Sequence, residues 1–225
     1  MSVLIVGAGP GMGTALAHTF GSPDQPVALI GNDSQTLETI VDGLAEQDIR
    51  AKAAVADTGD TLELVNAIGG LTTEVGTADV VIYNASAFVD GPPSEVPPGE
   101  FAAGLAVGIT GGLVTLQAVL PAMRAAGSGT VIFTGSATAV NPWAAAVGLS
   151  VQKAGIRNLA IAACEELAPE NIRVCTITIM GTLKRDSIFD PKVIAPAFAR
   201  VAATPASQWQ AEVRYPLDLA ADPDE

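Results

Sequence analysis

The chain has 225 residues, 49% of them hydrophobic and 16% charged, enough apolar material for a large core and unlike a disordered segment. Its 24 acidic residues against 11 basic ones leave a formal charge of −13, which offers no basic footprint to nucleic acid or to a membrane surface. Cys164 and Cys175 form no C-x-x-C pair and no disulfide framework, which suits a reducing, cytoplasmic setting, and a single histidine, His18, argues against zinc.

The opening MSVLIVGAG runs straight into a glycine turn with no basic leader, so no signal peptide is expected. Short β-branched runs at 2–7, 27–31, 51–57, 78–84, 129–135 and 172–180 read as strands buried on both faces. Between them lie helical stretches near 11–20, 34–47, 60–69, 99–125 and 149–168. This alternation predicts an α/β fold: a Rossmann-type, doubly wound parallel sheet of about seven strands with helices on both faces. The run WQAEVRYPL would supply the seventh strand at the sheet edge.

The uncharged segment from Phe101 to Met123 is long enough to span a bilayer. It carries Gly104, Gly108, Gly111 and Gly112, ends on Pro121 and stands alone, so a helix buried in protein, against a second subunit, is expected instead of a membrane span. The tail DLAADPDE reads as a frayed acidic end.

The stretch IVGAGPGMG sits at the first strand-to-helix junction. Gly7, Gly9, Gly11 and Gly13 let the backbone turn tightly and approach a ligand, and the helix start at Met12 offers N–H groups to a pyrophosphate.

The spacing Gly7-x-x-x-Gly11-x-Gly13 resembles the glycine motif of the short-chain dehydrogenase/reductases, and the resemblance continues along nearly the whole chain. Asp57-Thr58 is similar to the family's Asp-Val pair that holds the adenine. YNAS keeps Asn84 and Ala85 of the family's Asn-Asn-Ala-Gly. GTVIFTGSAT places Ser136 on the catalytic serine, and Lys153 falls on the family lysine. The resemblance implies that residues 1–217 form a single NAD(P)-binding domain, with 218–225 a flexible tail. It implies a homodimer or homotetramer, and a lid formed by MGTLKRDSIFDP and the residues up to FARVAATPASQW.

Three positions depart from the family pattern. Leu149 stands where Tyr-x-x-x-Lys has its tyrosine, Gly108 stands for the tetrad asparagine, and Met180-Gly181 replaces Pro-Gly. The resemblance assigns proton transfer to that tyrosine, with the lysine lowering its pKa and bonding the nicotinamide ribose. Ser136 and Lys153 are therefore what remains of the catalytic set, and Lys153, like Gly181 at the nicotinamide pocket, is also expected to hold the cofactor. Losing a positioned general acid removes about 10²–10⁴ in rate. Gly108 is expected to remove the backbone kink that feeds the proton relay. A Lys153 desolvated beside Leu149 would have a lowered pKa and act itself.

After the second strand, Asn32 and Asp33 stand where ribose selectivity is read, with no Lys or Arg in reach, which favours NAD(H) over NADP(H). Asp33 serves equally as a helix cap, as does Asp57, and Ser136 as a turn residue. Trp143 and Trp209 read as packing residues. The expected function is a short-chain-type oxidoreductase on a small carbonyl or alcohol substrate, with a degenerate site. The alternatives are a catalytically silent dinucleotide-binding sensor or partner subunit, and a non-redox enzyme using Lys153.

Overall fold

The computed structural model describes residues 2–217; the expected tail at 218–225 lies outside the described residues. The strands are β1 (Val3–Val6), β2 (Val27–Gly31), β3 (Ala51–Val55), β4 (Val80–Tyr83), β5 (Gly129–Ser136), β6 (Ile172–Ile179) and β7 (Glu212–Tyr215). The helices are α1 (Met12–Phe20), α2 (Ser34–Ala45), α3 (Thr61–Val75), α4 (Pro98–Leu105), α5 (Gly111–Ala126), α6 (Val147–Leu167) and α7 (Pro191–Ala203). Among the described residues these strands form one sheet, order β3-β2-β1-β4-β5-β6-β7, with every neighbouring pair parallel. The expected seventh strand is there, on the edge beside β6.

Side chains leave the strands alternately to two cores. Val3 and Ile5 of β1 face α1, α2 and α7, whereas Leu4 and Val6 face α3, α5 and α6. β3 differs from expectation: as an outer strand it is mostly exposed, with Val55 at the surface.

Two helices differ from the sequence reading. α3 continues to Val75 through Gly69-Gly70, because Leu64, Ile68 and Leu71 keep one apolar face against the sheet and this packing outweighs the poor helix propensity of glycine. The segment expected to belong entirely to the lid contains α7, which is capped by Asp190, starts on Pro191 and buries Ile194 and Phe198 against α1. The loop from Gly181 to Asp190 is mostly exposed, with Phe189 packed against the core.

Pro98–Ala126 is long and apolar enough to cross a membrane, and 39% of its apolar 18-residue stretch is buried within the chain. Four of its glycines face other parts of this chain. A Cβ at Gly104 or Gly108 would strike Gln152 of α6, one at Gly112 would strike Ile156, and one at Gly111 would strike Thr58 and Tyr83. This close packing lies within the chain, and Pro121 lies inside α5 instead of ending it.

The strand order reverses between β1 and β4. Beyond the turns that follow them the chain passes to opposite faces of the sheet, which opens a crevice at its carboxyl end.

Candidate active site

Gly7 adopts φ +89°, a conformation that glycine reaches freely, and its Cα lies so close to the β4 turn that a Cβ would come within 2.6 Å of Ala85 Cα. Asn84 Nδ2 donates to Gly7 O at 2.9 Å, and Asn84 N–H to Val6 O at 2.7 Å, tying the two turns together. A Cβ at Gly13 would meet Ala8 Cα at 2.6 Å. Gly9 and Gly11 behave differently, because a Cβ on either would project into open space. α1 begins there with no capping side chain at Gly11 and no acid in its first turn, leaving a positive helix end turned to the cleft.

This half of the cleft is a cavity of about 370 Å³ that runs from Gly9 past Asn32 and Asp33 to Asp57 and Thr58. Asp33 caps α2 by accepting from Thr36 N–H at 2.7 Å, and hydrogen bonding from the Thr36 side chain and then from its N–H holds the Asp33 carboxyl below the usual carboxylate range. Asp57 is not the cap of α3. That role belongs to Asp60, which accepts from Leu62 and Glu63 N–H, whereas Asp57 Oδ1 accepts from Gly59 N–H at 2.8 Å.

Asn84 and Ser86 also line a second cavity of about 570 Å³ that holds Met12, Ser136, Leu149, Lys153 and Gly181. Ser136 Oγ accepts from the N–H and the hydroxyl of Thr138, opening a short turn over Ala137–Ala139. Lys153 is 7% exposed, and its Nζ donates to Thr134 O at 2.9 Å. Burial alone pulls its pKa from 10.5 down to about 8. Among the described residues, Lys153 is the only lining side chain of this cavity that carries a charge. Gly181 lies beneath the Phe189 ring, which leaves no room for a Cβ.

The expected loss of the kink at Gly108 is not observed. Ala106–Thr110 form a π turn between α4 and α5. Gln152, fully buried, lies against Gly108 where a side chain would otherwise project, and the Tyr83 hydroxyl donates to Val107 O in the same turn. Burial pushes the Tyr83 phenol well above its ordinary pKa. The Tyr215 hydroxyl donates to Ile188 O at 2.6 Å, and neither tyrosine lines the Lys153 cavity.

Residues 1–185 match the family described as short chain dehydrogenase. The chain belongs to the short chain dehydrogenase family. It is 25% identical over 224 residues to the oxidoreductase asL5 of Sarocladium schorii, covering 100% of this chain and 84% of that protein. It is 27% identical to the 2,3-dihydro-2,3-dihydroxybenzoate dehydrogenase of Bacillus subtilis, covering 81% of this chain and 69% of that one. A metagenomic short-chain oxidoreductase crystallised with NADP superposes with a TM-score of 0.86 at 26% identity, covering 95% and 96% of the two chains. These relatives are oxidoreductases, one of them crystallised with NADP, and the chain is an NAD(P)-binding oxidoreductase of this family.

Three features of this short chain dehydrogenase escape sequence reasoning. Gln152 pairs with both backbone groups of Ala87: Oε1 accepts from its N–H at 3.1 Å and Nε2 donates to its C=O at 2.9 Å. Thr134 O receives the lysine. Trp143, expected to pack, stands 51% exposed at the cavity mouth beside Phe88. Trp209 does pack: its Nε1 donates to Val174 O at 2.9 Å, and Arg173 lies over its ring.

Proposed function

We propose that the chain binds an NAD(P) dinucleotide along the two cavities and reduces or oxidises a small carbonyl or alcohol compound with a reduced catalytic set. In this reading the pyrophosphate lies over Gly9, Gly11 and Met12, which the room at Gly9 and the uncapped α1 support. Asn32, Asp33, Asp57 and Thr58 face the adenosine half, and Asn84, Ala85 and Gly181 border the nicotinamide half. The bound cofactor supplies or takes up a hydride.

The observation that carries the reading is the isolation of Lys153 as the one charged group in a cavity where Leu149 replaces the family's phenol. Nζ then gives its proton to the substrate oxygen that gains the electron pair, and the resulting amine is recharged from solvent. The Ser136 hydroxyl donates to that same oxygen. The main-chain frame is kept by Gln152 at the π turn.

Asp33 keeps one carboxylate oxygen beside its cap bond, and the lack of Lys or Arg next to it favours NAD(H) over NADP(H). The NADP bound by the metagenomic relative lends that preference no support. A homodimer or homotetramer formed through the uncharged 101–123 stretch of α4 and α5, with Leu113 exposed, and a cytoplasmic setting for the free Cys164 and Cys175 complete the reading. A silent dinucleotide-binding subunit is the second reading, favoured by Leu149 itself.

The test follows NADH and NADPH oxidation with a panel of aldehydes and ketones. Turnover abolished by Lys153→Met supports an enzyme. Tight nucleotide binding without turnover, unchanged by Leu149→Tyr, selects the silent subunit.

A further inference from the structure

The mouth of the Lys153 cavity carries more exposed apolar surface than folding requires. Phe88 is 63% exposed, Trp143 51% and Leu183 47%, and all three line the cavity together with Leu149. Large apolar side chains left at the rim of a cavity mark a recognition surface.

These rings are also held in place. Phe88 and Trp143 face each other with centroids 6.2 Å apart and planes tilted by 55°. Gly91 N–H donates to Ala145 O at 2.8 Å and Val147 N–H to Gly91 O at 3.3 Å, joining the loop after β4 to the segment before α6. Next to Phe88, both backbone groups of Ala87 are bonded by Gln152, and Trp143 N–H donates to Ser150 Oγ at 2.9 Å. The rings therefore sit on braced backbone, and little ordering is left to be done when a ligand arrives.

Charge narrows the ligand further. Among the described residues, no carboxylate and no arginine lines this cavity, and its one charge, Lys153, lies at the floor. A cationic ligand would find no partner there. An anionic group at the mouth would find no cation and would face a chain of net charge −13.

We infer that this cavity selects an uncharged, flat, ring-bearing carbonyl or alcohol compound, laid against the exposed faces of the Phe88–Trp143 pair with its oxygen directed toward Lys153. The inference rests on the oxidoreductase reading for the role of that oxygen, and the ring contact is tested separately from it.

The probe is 1-indanone, compared with its saturated counterpart octahydroinden-1-one and with a ring-carboxylated indanone. Each is titrated calorimetrically into the free protein and into protein saturated with NAD⁺, where no hydride is available and binding alone is read. 1-Indanone is expected to bind at least about tenfold tighter than either comparison compound in one or both forms. Phe88→Ala, a change at an exposed position, is expected to weaken 1-indanone at least about fivefold and the saturated ketone less than about twofold. A melting temperature equal to that of the parent protein checks that this variant is folded. Equal affinities in both forms, or a preference unchanged by Phe88→Ala, would overturn the inference. Absence of NAD⁺ binding would instead remove the oxidoreductase reading and leave the ring preference measurable in the free protein.

Discussion

Gln152 and Gly108 occupy one site between them: the glutamine lies where any side chain on residue 108 would project. Its amide continues to both backbone groups of Ala87, so a pair of residues on two helices holds the π turn and the β4 loop together. A fully buried amide with both ends bonded is costly to disturb. Gly108→Asn alone is expected to destabilise the chain by about 2–4 kcal/mol, through collision and the unpairing of Ala87. Adding Gln152→Ala, which empties the space, should recover about 1–2 kcal/mol, read as a coupling energy in urea denaturation.

The glycines of the first turn separate by what surrounds them. Gly7 needs its positive φ and has no room beside Ala85, so Gly7→Ala should cost about 2–4 kcal/mol of stability. Gly9 faces open space, and Gly9→Val should melt within a few degrees of the parent while weakening NADH binding more than about tenfold. Thermal melts and calorimetry on the two variants check the contrast.

Lys153 links stability to pH in an unusual direction. Its pKa is lowered from 10.5 to about 8, so between these values the unfolded chain holds more protons and stability rises with pH. Below about pH 8 both states carry the proton and the whole burial penalty, about 3 kcal/mol, is present. Lys153→Met should therefore be more stable than the parent at pH 7 by about 1–3 kcal/mol, allowing for the lost bond to Thr134 O, with the advantage shrinking by pH 10.5. Carbonyl reduction by the parent should fall as pH rises through about 8, where Nζ loses its proton.

Leu149 lies one helical turn before Lys153 and lines the same cavity. Leu149→Tyr places a phenol beside a cation that favours its ionised form, and should raise carbonyl reduction by about 10–100-fold. Progress curves with a fixed ketone at several pH values measure the gain; an unchanged rate would mean that residue 149 does not face the reacting oxygen.

The sheet was legible because parallel strands write themselves as short apolar runs, and the first glycine turn because its spacing sits at a strand-to-helix junction. Pro191 and Pro196 obscured α7, although Asp190-Pro191 is itself a helix start and Ile194, Phe198 and Val201 share its buried face. Gln152 was not legible, since a buried glutamine and a solvated one are written alike. The loss of the kink expected at Gly108 follows from the residue type alone, whereas the turn is held by Tyr83 and Gln152 from other elements. Phe88 and Trp143 meet only through a contact between loops distant in sequence, which no local pattern encodes.

The most direct measurement is a calorimetric titration of NADH and NADPH into the parent protein and into Lys153→Met. The account predicts saturable one-to-one binding of at least one nucleotide, weakened several-fold by the substitution, with NADH the tighter ligand. No heat from either nucleotide at millimolar concentration, in a protein shown to be folded, would contradict it.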